Sequence, residues 1–111
     1  MNDTVRWLEY YVKSMDFPDV SGFEVLELLD VRSKLVAHES ELSLSQRADL
    51  EEADGKFLYR APQFYQSLCT LGTPEQLRNQ SKVPCSHWWW YLEKLVHYEI
   101  DFCLMLEHQY L

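Results

Sequence analysis

Residues 43–72 read SLSQRADLEEADGKFLYRAPQFYQSLCTLG, and this stretch determines the class of fold. Apolar residues recur in it at intervals of three and four, at Leu50, Ala53, Phe57, Ala61, Phe64, Leu68 and Leu71. This interval places them on one face of an α-helix. Ser43 followed by Gln46 is typical of a capping box, and Gly72 is a typical C-terminal stop. We predict one long helix, kinked near Pro62 because proline lacks the amide proton that a helix interior needs.

The rest of the chain carries four further helical patterns. Caps and apolar periods predict helices over about 4–15, 21–40 and 73–80, and a last one from about 86 nearly to the C-terminus. No stretch alternates apolar and polar residues for long enough to predict a strand. The long amphipathic helices must bury their apolar faces against one another. The expected fold is an all-α bundle of four main helices with one short extra helix, forming a single domain over 1–111.

Composition narrows the classes of function. The chain has 111 residues, 47% of them hydrophobic, and a net charge of -8, which repels nucleic-acid phosphates. It shows no secretory signal and no apolar run of the roughly 18 residues that a membrane span requires. Cys69, Cys85 and Cys103 are odd in number and lack the spacing of a disulfide framework. We expect a cytoplasmic protein with free thiols, without cofactor and without nucleic-acid or membrane partners.

Two charged residues fall on faces that are otherwise apolar. Arg32 lies in the apolar arc of the second helix, and Glu99 lies on the apolar seam of the last helix. Because a buried charge is costly unless it is paired, we predict an ion pair between Arg32 and Glu99 across the bundle. Two alternatives remain open: long side chains that reach water at a groove edge, and a pair that lines a small-ligand pocket between these helices.

Residues with metal-binding or nucleophilic side chains occur on and just before the last helix. Glu93, His97 and Asp101 follow each other at intervals of four, which predicts a solvated stripe of charge more readily than a metal site. Cys85 and His87 lie where the helix is expected to begin, but two residues apart they need not face each other. The chain contains no CxxC, HExxH, GxSxG or glycine-rich phosphate loop. No metal ligand or catalytic nucleophile is predicted.

The run Trp88, Trp89, Trp90, Tyr91 is the most unusual feature of the sequence. Consecutive side chains on an α-helix point about 100° apart, so three tryptophans cannot all enter one core. On this geometry Trp90 points away from the apolar arc and needs a cover. The cover is the chain's own connection between the last two helices, a second copy of the chain or another partner. We expect these four residues to form a protein-contact surface.

The segment from Arg32 to His38 resembles the Arg…His motif of the HEPN helical-bundle ribonucleases, with five residues between the two. The resemblance covers seven residues, and Ser33 follows the arginine where asparagine is frequent in the family. It implies that Arg32 and His38 would act as a catalytic pair on RNA at a dimer groove. The sequence thus leaves three functions open: a non-enzymatic, self-associating interaction module, which we favour, a HEPN-like ribonuclease, and a helical small-ligand binder.

Overall fold

The computed structural model of the chain describes residues 3–17 and 19–97. Its α-helices are α1 (Asp3–Ser14), α2 (Gly22–Ala37), α3 (Leu44–Leu68), α4 (Pro74–Ser81) and α5 (Leu92–His97). Short 3-10 turns lie at Glu39–Glu41 and Trp88–Trp90. No strand occurs in the described ranges, so the predicted all-α fold is confirmed. None of the helices described is both long and apolar enough to cross a membrane.

Local capping explains where the helices begin. The Ser43 and Thr73 side chains accept the amide protons of Gln46 and Gln76, and each glutamine side chain accepts the backbone amide proton of its cap. These reciprocal bonds satisfy amide groups that have no partner inside a helix. Ser21 caps α2 through one such bond. The starts of α2, α3 and α4 therefore follow from sequence within a residue.

Helix α3 is the central element of the bundle. It packs against α1, α2 and α5, while α1 and α2 also pack against each other. The predicted apolar face of α3 is buried at Leu50, Ala53, Phe57, Ala61, Phe64 and Leu68. Pro62 lies inside α3, which is continuous from Leu44 to Leu68, so the helix does not restart there. The kink at this proline stays a prediction.

The segment after α4 differs from the predicted last helix. Instead of one helix from residue 86, a 3-10 turn at Trp88–Trp90 is followed by α5 from Leu92. The 3-10 turn packs on α2. A 3-10 turn is wound more tightly than an α-helix, so it aims successive side chains differently. The side-chain directions predicted for residues 88–91 on an α-helix are therefore wrong.

A close approach joins the start of α2 to the end of α3. Gly22 is the first residue of α2, and a Cβ atom built on it would lie 2.6 Å from the Ser67 carbonyl oxygen and 2.9 Å from Leu71 Cγ. Real Cβ atoms essentially never come that close to other heavy atoms. Glycine therefore lets the two helix ends meet, and Phe17, Val20 and Glu24 line one cavity with the core residue Phe64.

Candidate functional site

Arg32 is buried in the bundle and is paired within it. Its Nε donates to Asp54 Oδ1 at 2.9 Å and its Nη2 donates to Asp54 Oδ2 at 2.8 Å, a two-pronged ion pair. The guanidinium also lies 4.4 Å from the centre of the Trp89 ring, a cation–π distance. Only 9% of the Arg32 side chain and 19% of the Asp54 side chain are exposed. The charge of Arg32 is thus compensated inside the protein.

The structure pairs Arg32 with Asp54, and the predicted pair with Glu99 stays a prediction. Both ion-pair hydrogen bonds go to Asp54 on α3, whereas Glu99, the predicted partner, lies outside the described residues. A signal for Asp54 was present in the sequence. It follows Leu50 by four residues and precedes Phe57 by three, so it lies on the same face of α3 as those two buried residues.

Tyr11 completes this polar cluster. Its hydroxyl donates to Asp54 Oδ1 at 2.6 Å, so one carboxylate receives hydrogen bonds from α1 and α2. Burial, and then the negative charge of Asp54, raise the pKa of Tyr11 well above its ordinary value. The hydroxyl therefore stays protonated and keeps donating. The Arg32–Asp54–Tyr11 cluster joins three helices and serves their packing. Among the described residues, Arg32 Nη1 is buried without a hydrogen-bond partner.

The tryptophan run is mostly buried by its own chain. Trp89 and Trp90 are each 2% exposed, while Trp88 and Tyr91 are partly buried. The indole nitrogens of Trp89 and Trp90 both donate to Ser33 Oγ on α2, at 3.1 and 2.9 Å. The expected outward position of Trp90 is therefore wrong, because the 3-10 turn aims both indole N–H groups at one hydroxyl. The chain itself supplies the cover that Trp90 needs.

The hydroxyl of Ser33 contacts His87 and bears on the protonation state of its ring. Ser33 Oγ lies 2.9 Å from His87 Nδ1, besides its two indole neighbours. An indole N–H only donates, and a hydroxyl has two acceptor positions and one proton. This arrangement favours donation of the Ser33 proton to an unprotonated Nδ1. Burial, and then the charge of Arg32, lower the pKa of His87, in agreement with this neutral form.

The Ser33–His87 contact contains the two side chains of a hydrolytic dyad, but its surroundings indicate a structural role. Ser33 Oγ accepts from both indole N–H groups, and the Trp89 N–H is shared with the Leu29 carbonyl oxygen at 3.1 Å. The adjoining cavity is only about 100 Å³, and it is lined partly by Asp30, Lys82 and Trp90. Ligand pockets are commonly about 300–1,000 Å³. The contact therefore secures the 3-10 turn to α2 rather than presenting a nucleophile.

Arg32 and His38 have separate surroundings. His38 is the C-terminal cap of α2 and is exposed, with its Nδ1 2.6 Å from Glu41 Oε2 and its ring 5.3 Å from the Trp7 ring. Arg32 instead contacts Asp54 in the interior. The two side chains of the HEPN-like motif therefore have no neighbour in common among these contacts.

The remaining candidate ligands do not converge in the described part of the chain. Cys69 and Cys85 are exposed free thiols, and Cys103 lies outside the described residues. Glu93 pairs with Arg78 at 2.6 Å. No group of three potential metal-binding side chains occurs within residues 3–17 and 19–97. The His97 side chain and Asp101 are outside the described set.

An open groove lies between the end of α1 and the start of α2, where the sequence indicated only a connection. The aromatic groove, as we call it, has a cavity of about 220 Å³ lined by Tyr10, Lys13, Ser14, Phe17, Val20, Glu24, Leu28 and Phe64. Its floor includes the core residues Leu28 and Phe64, and its rim includes Phe17, which is 63% exposed. Phe23 in the first turn of α2 is 72% exposed. An exposed ring beside an apolar cavity enlarges the apolar surface that a partner could cover.

The aromatic groove lies in an acidic part of the chain. Residues 10–28 carry four carboxylates against one cation, and these charges are Asp16, Asp19, Glu24, Glu27 and Lys13. Burial, followed by the charges of Glu27 and Glu24, raises the pKa of Tyr10, so both carboxylates act on the groove rim. Glu24 and Lys13 line the groove itself, and the excess of negative charge comes from acidic residues close to the lining residues in sequence.

Comparison of the chain with protein-family models, with curated proteins and with solved structures gave no significant match.

Proposed function

We propose that this chain is a non-enzymatic protein-interaction module whose contact surface is the aromatic groove. The observation that carries the proposal is the exposure of Phe17 at the rim of an open apolar cavity. Hydrophobic rings held in water at the edge of a concave surface gain free energy when a partner covers them. Phe23, one helical turn before Glu27, is a second exposed ring in the same segment of the chain.

The burial of the tryptophan run supports this choice of surface over the one predicted from sequence. Trp89 and Trp90 have already lost their contact with water in the single chain. A second copy would gain little by covering them, so they offer weak support for self-association. The electrostatics of the groove argue the same way, because two copies meeting there would bring like charges together.

The two alternative functions receive less support. A HEPN-like nuclease needs Arg32 at the phosphodiester, whereas its guanidinium is engaged by Asp54 and covered by Trp89. The cavity between α2 and the tryptophan turn is about 100 Å³, too small for an ordinary cofactor or metabolite. The aromatic groove is larger than this cavity and is open to solvent, as is a cavity of about 430 Å³ between the end of α3 and the start of α4.

Affinity capture from the native host with matched variants tests the proposal. Phe17→Ser removes the ring at the groove rim, which is 63% exposed, and Tyr59→Ser removes a ring on α3 that is 85% exposed. We expect a partner retained by the wild type and by Tyr59→Ser and lost with Phe17→Ser, then confirmed by binding of the two purified proteins. If no partner depends on Phe17, or if RNA cleavage is found that disappears in His38→Ala, the proposed function is wrong.

A further inference from the structure

We infer that the aromatic groove receives one large apolar side chain from a basic amphipathic segment of a different protein. This inference rests on the proposed function and names the chemical class of the partner. It combines two independent features of the groove, the size of its apolar cavity and the sign of the charge around it.

The cavity sets the size of the anchor. An apolar cavity of about 150 Å³ holds a benzene molecule, so the groove, at about 220 Å³, holds one side chain such as leucine or phenylalanine. Its floor is already packed into the core at Leu28 and Phe64, which are 2% and 0% exposed. A preformed floor lowers the cost of ordering the site when the anchor enters.

The charges select what surrounds the anchor. Glu24 and Lys13 line the groove, and Glu27 is exposed and acts on Tyr10 at its rim. Asp16 precedes the rim residue Phe17 in the chain and makes a long contact of 3.7 Å with Lys56. The carboxylates of this region therefore outnumber its one lysine. Lysine or arginine residues one helical turn from the anchor would meet these carboxylates. A second copy of this chain, with its own net charge of -8, or an anionic membrane surface would be repelled. A basic segment is therefore the occupant that satisfies both features.

The direct test uses synthetic helices as probes. An amphipathic peptide of about 15 leucine and lysine residues carries the proposed chemistry, and its twin with glutamate in place of lysine reverses the charge. Fluorescence anisotropy of each labelled peptide gives its affinity for the full chain at low and at physiological salt. We expect binding of the lysine peptide only, weakened by salt because part of the attraction is between exposed charges.

Matched variants separate the groove from general attraction to an acidic protein. Phe17→Ser should lower the affinity for the lysine peptide about tenfold, and Glu27→Gln should lower it about threefold. The controls Tyr59→Ser and Glu51→Gln, both at exposed positions of α3, should change the affinity less than twofold, and circular dichroism should show all four variants folded. Equal losses in the controls, or equal binding of the glutamate peptide, overturn the inference.

The capture experiment distinguishes failure of this inference from failure of the proposed function. If a partner depends on Phe17 but binds through an acidic or uncharged segment, the proposed function holds and the inference of a basic segment is wrong. The absence of any partner that depends on Phe17 refutes both. A partner whose minimal binding segment is basic and loses affinity when one apolar residue is changed to serine supports both.

Discussion

Replacing Asp54 with alanine should destabilise the protein strongly, because it leaves the buried Arg32 without a counter-ion. Breaking a buried ion pair by removing one partner costs about 3 to 5 kcal/mol. Asp54 is 19% exposed, so water can reach part of the vacated site and the cost should lie near about 3 kcal/mol. Tyr11 also loses the acceptor at 2.6 Å, which adds about 1 kcal/mol. The expected loss is a large share of the about 5 to 15 kcal/mol that stabilises a typical domain.

Urea unfolding monitored by circular dichroism measures this loss. Asp49→Ala, at an exposed position of the same helix, is the matched control and should change the free energy of unfolding by less than about 0.5 kcal/mol. Adding Arg32→Met to Asp54→Ala should recover part of the loss, because the double variant no longer buries an unpaired charge. If Asp54→Ala matches the Asp49 control, or if Glu99→Ala shows the coupling to Arg32 instead, the assignment of Asp54 as the partner is refuted.

Three further predictions follow from the close contacts of the fold. Folding lowers the pKa of His87 below its ordinary value of 6.5, so the unfolded state takes up the proton first as the pH falls. At pH values below about 6.5 the urea concentration at the unfolding midpoint should therefore decrease more in the wild type than in His87→Gln. Equal pH dependence of the two proteins would contradict the contact between Ser33 and a neutral His87. Gly22→Ala should cost about 1 to 3 kcal/mol, because its Cβ would lie 2.6 Å from a backbone oxygen, whereas Gly55→Ala meets nothing within 4 Å and should be neutral or stabilising; similar thermal midpoints for the two would argue against the close approach. Trp90→Phe should cost about 1 kcal/mol by removing one indole donor and should leave the sedimentation behaviour unchanged, so a dimer in the wild type that dissociates in this variant would restore the tryptophan run as an interface.

Local signals account for the part of the fold that was predicted correctly. The capping pairs at Ser43 and Thr73 lie three residues from their glutamines, and these bonds form whatever the rest of the chain does. The apolar face of α3 was read from intervals of three and four, and its members from Leu50 to Leu68 are buried as expected. The burial of Arg32 followed from the same reasoning.

Distances along the chain explain what the sequence did not reveal. Arg32 meets Asp54 across 22 residues, and Trp90 meets Ser33 across 57. Several acidic and polar residues share the appropriate helix faces, and only the packing of α1, α2 and α3 selects one of them. The assumption of a straight helix through residues 88–91 also failed, because bonds to Ser33 from another helix favour a 3-10 turn there.

The sequence by itself determined an all-α chain, the starts of its capped helices and the residues that enter its core, since caps and helical periodicity act within a few residues. Tertiary structure alone decided the partner of Arg32 and the burial of Trp90. It also created the aromatic groove, because Phe17 and Phe64 are 47 positions apart in the numbering and line one cavity only after Gly22 brings the start of α2 against the end of α3. Contacts of that range depend on how whole helices pack, which no local pattern encodes.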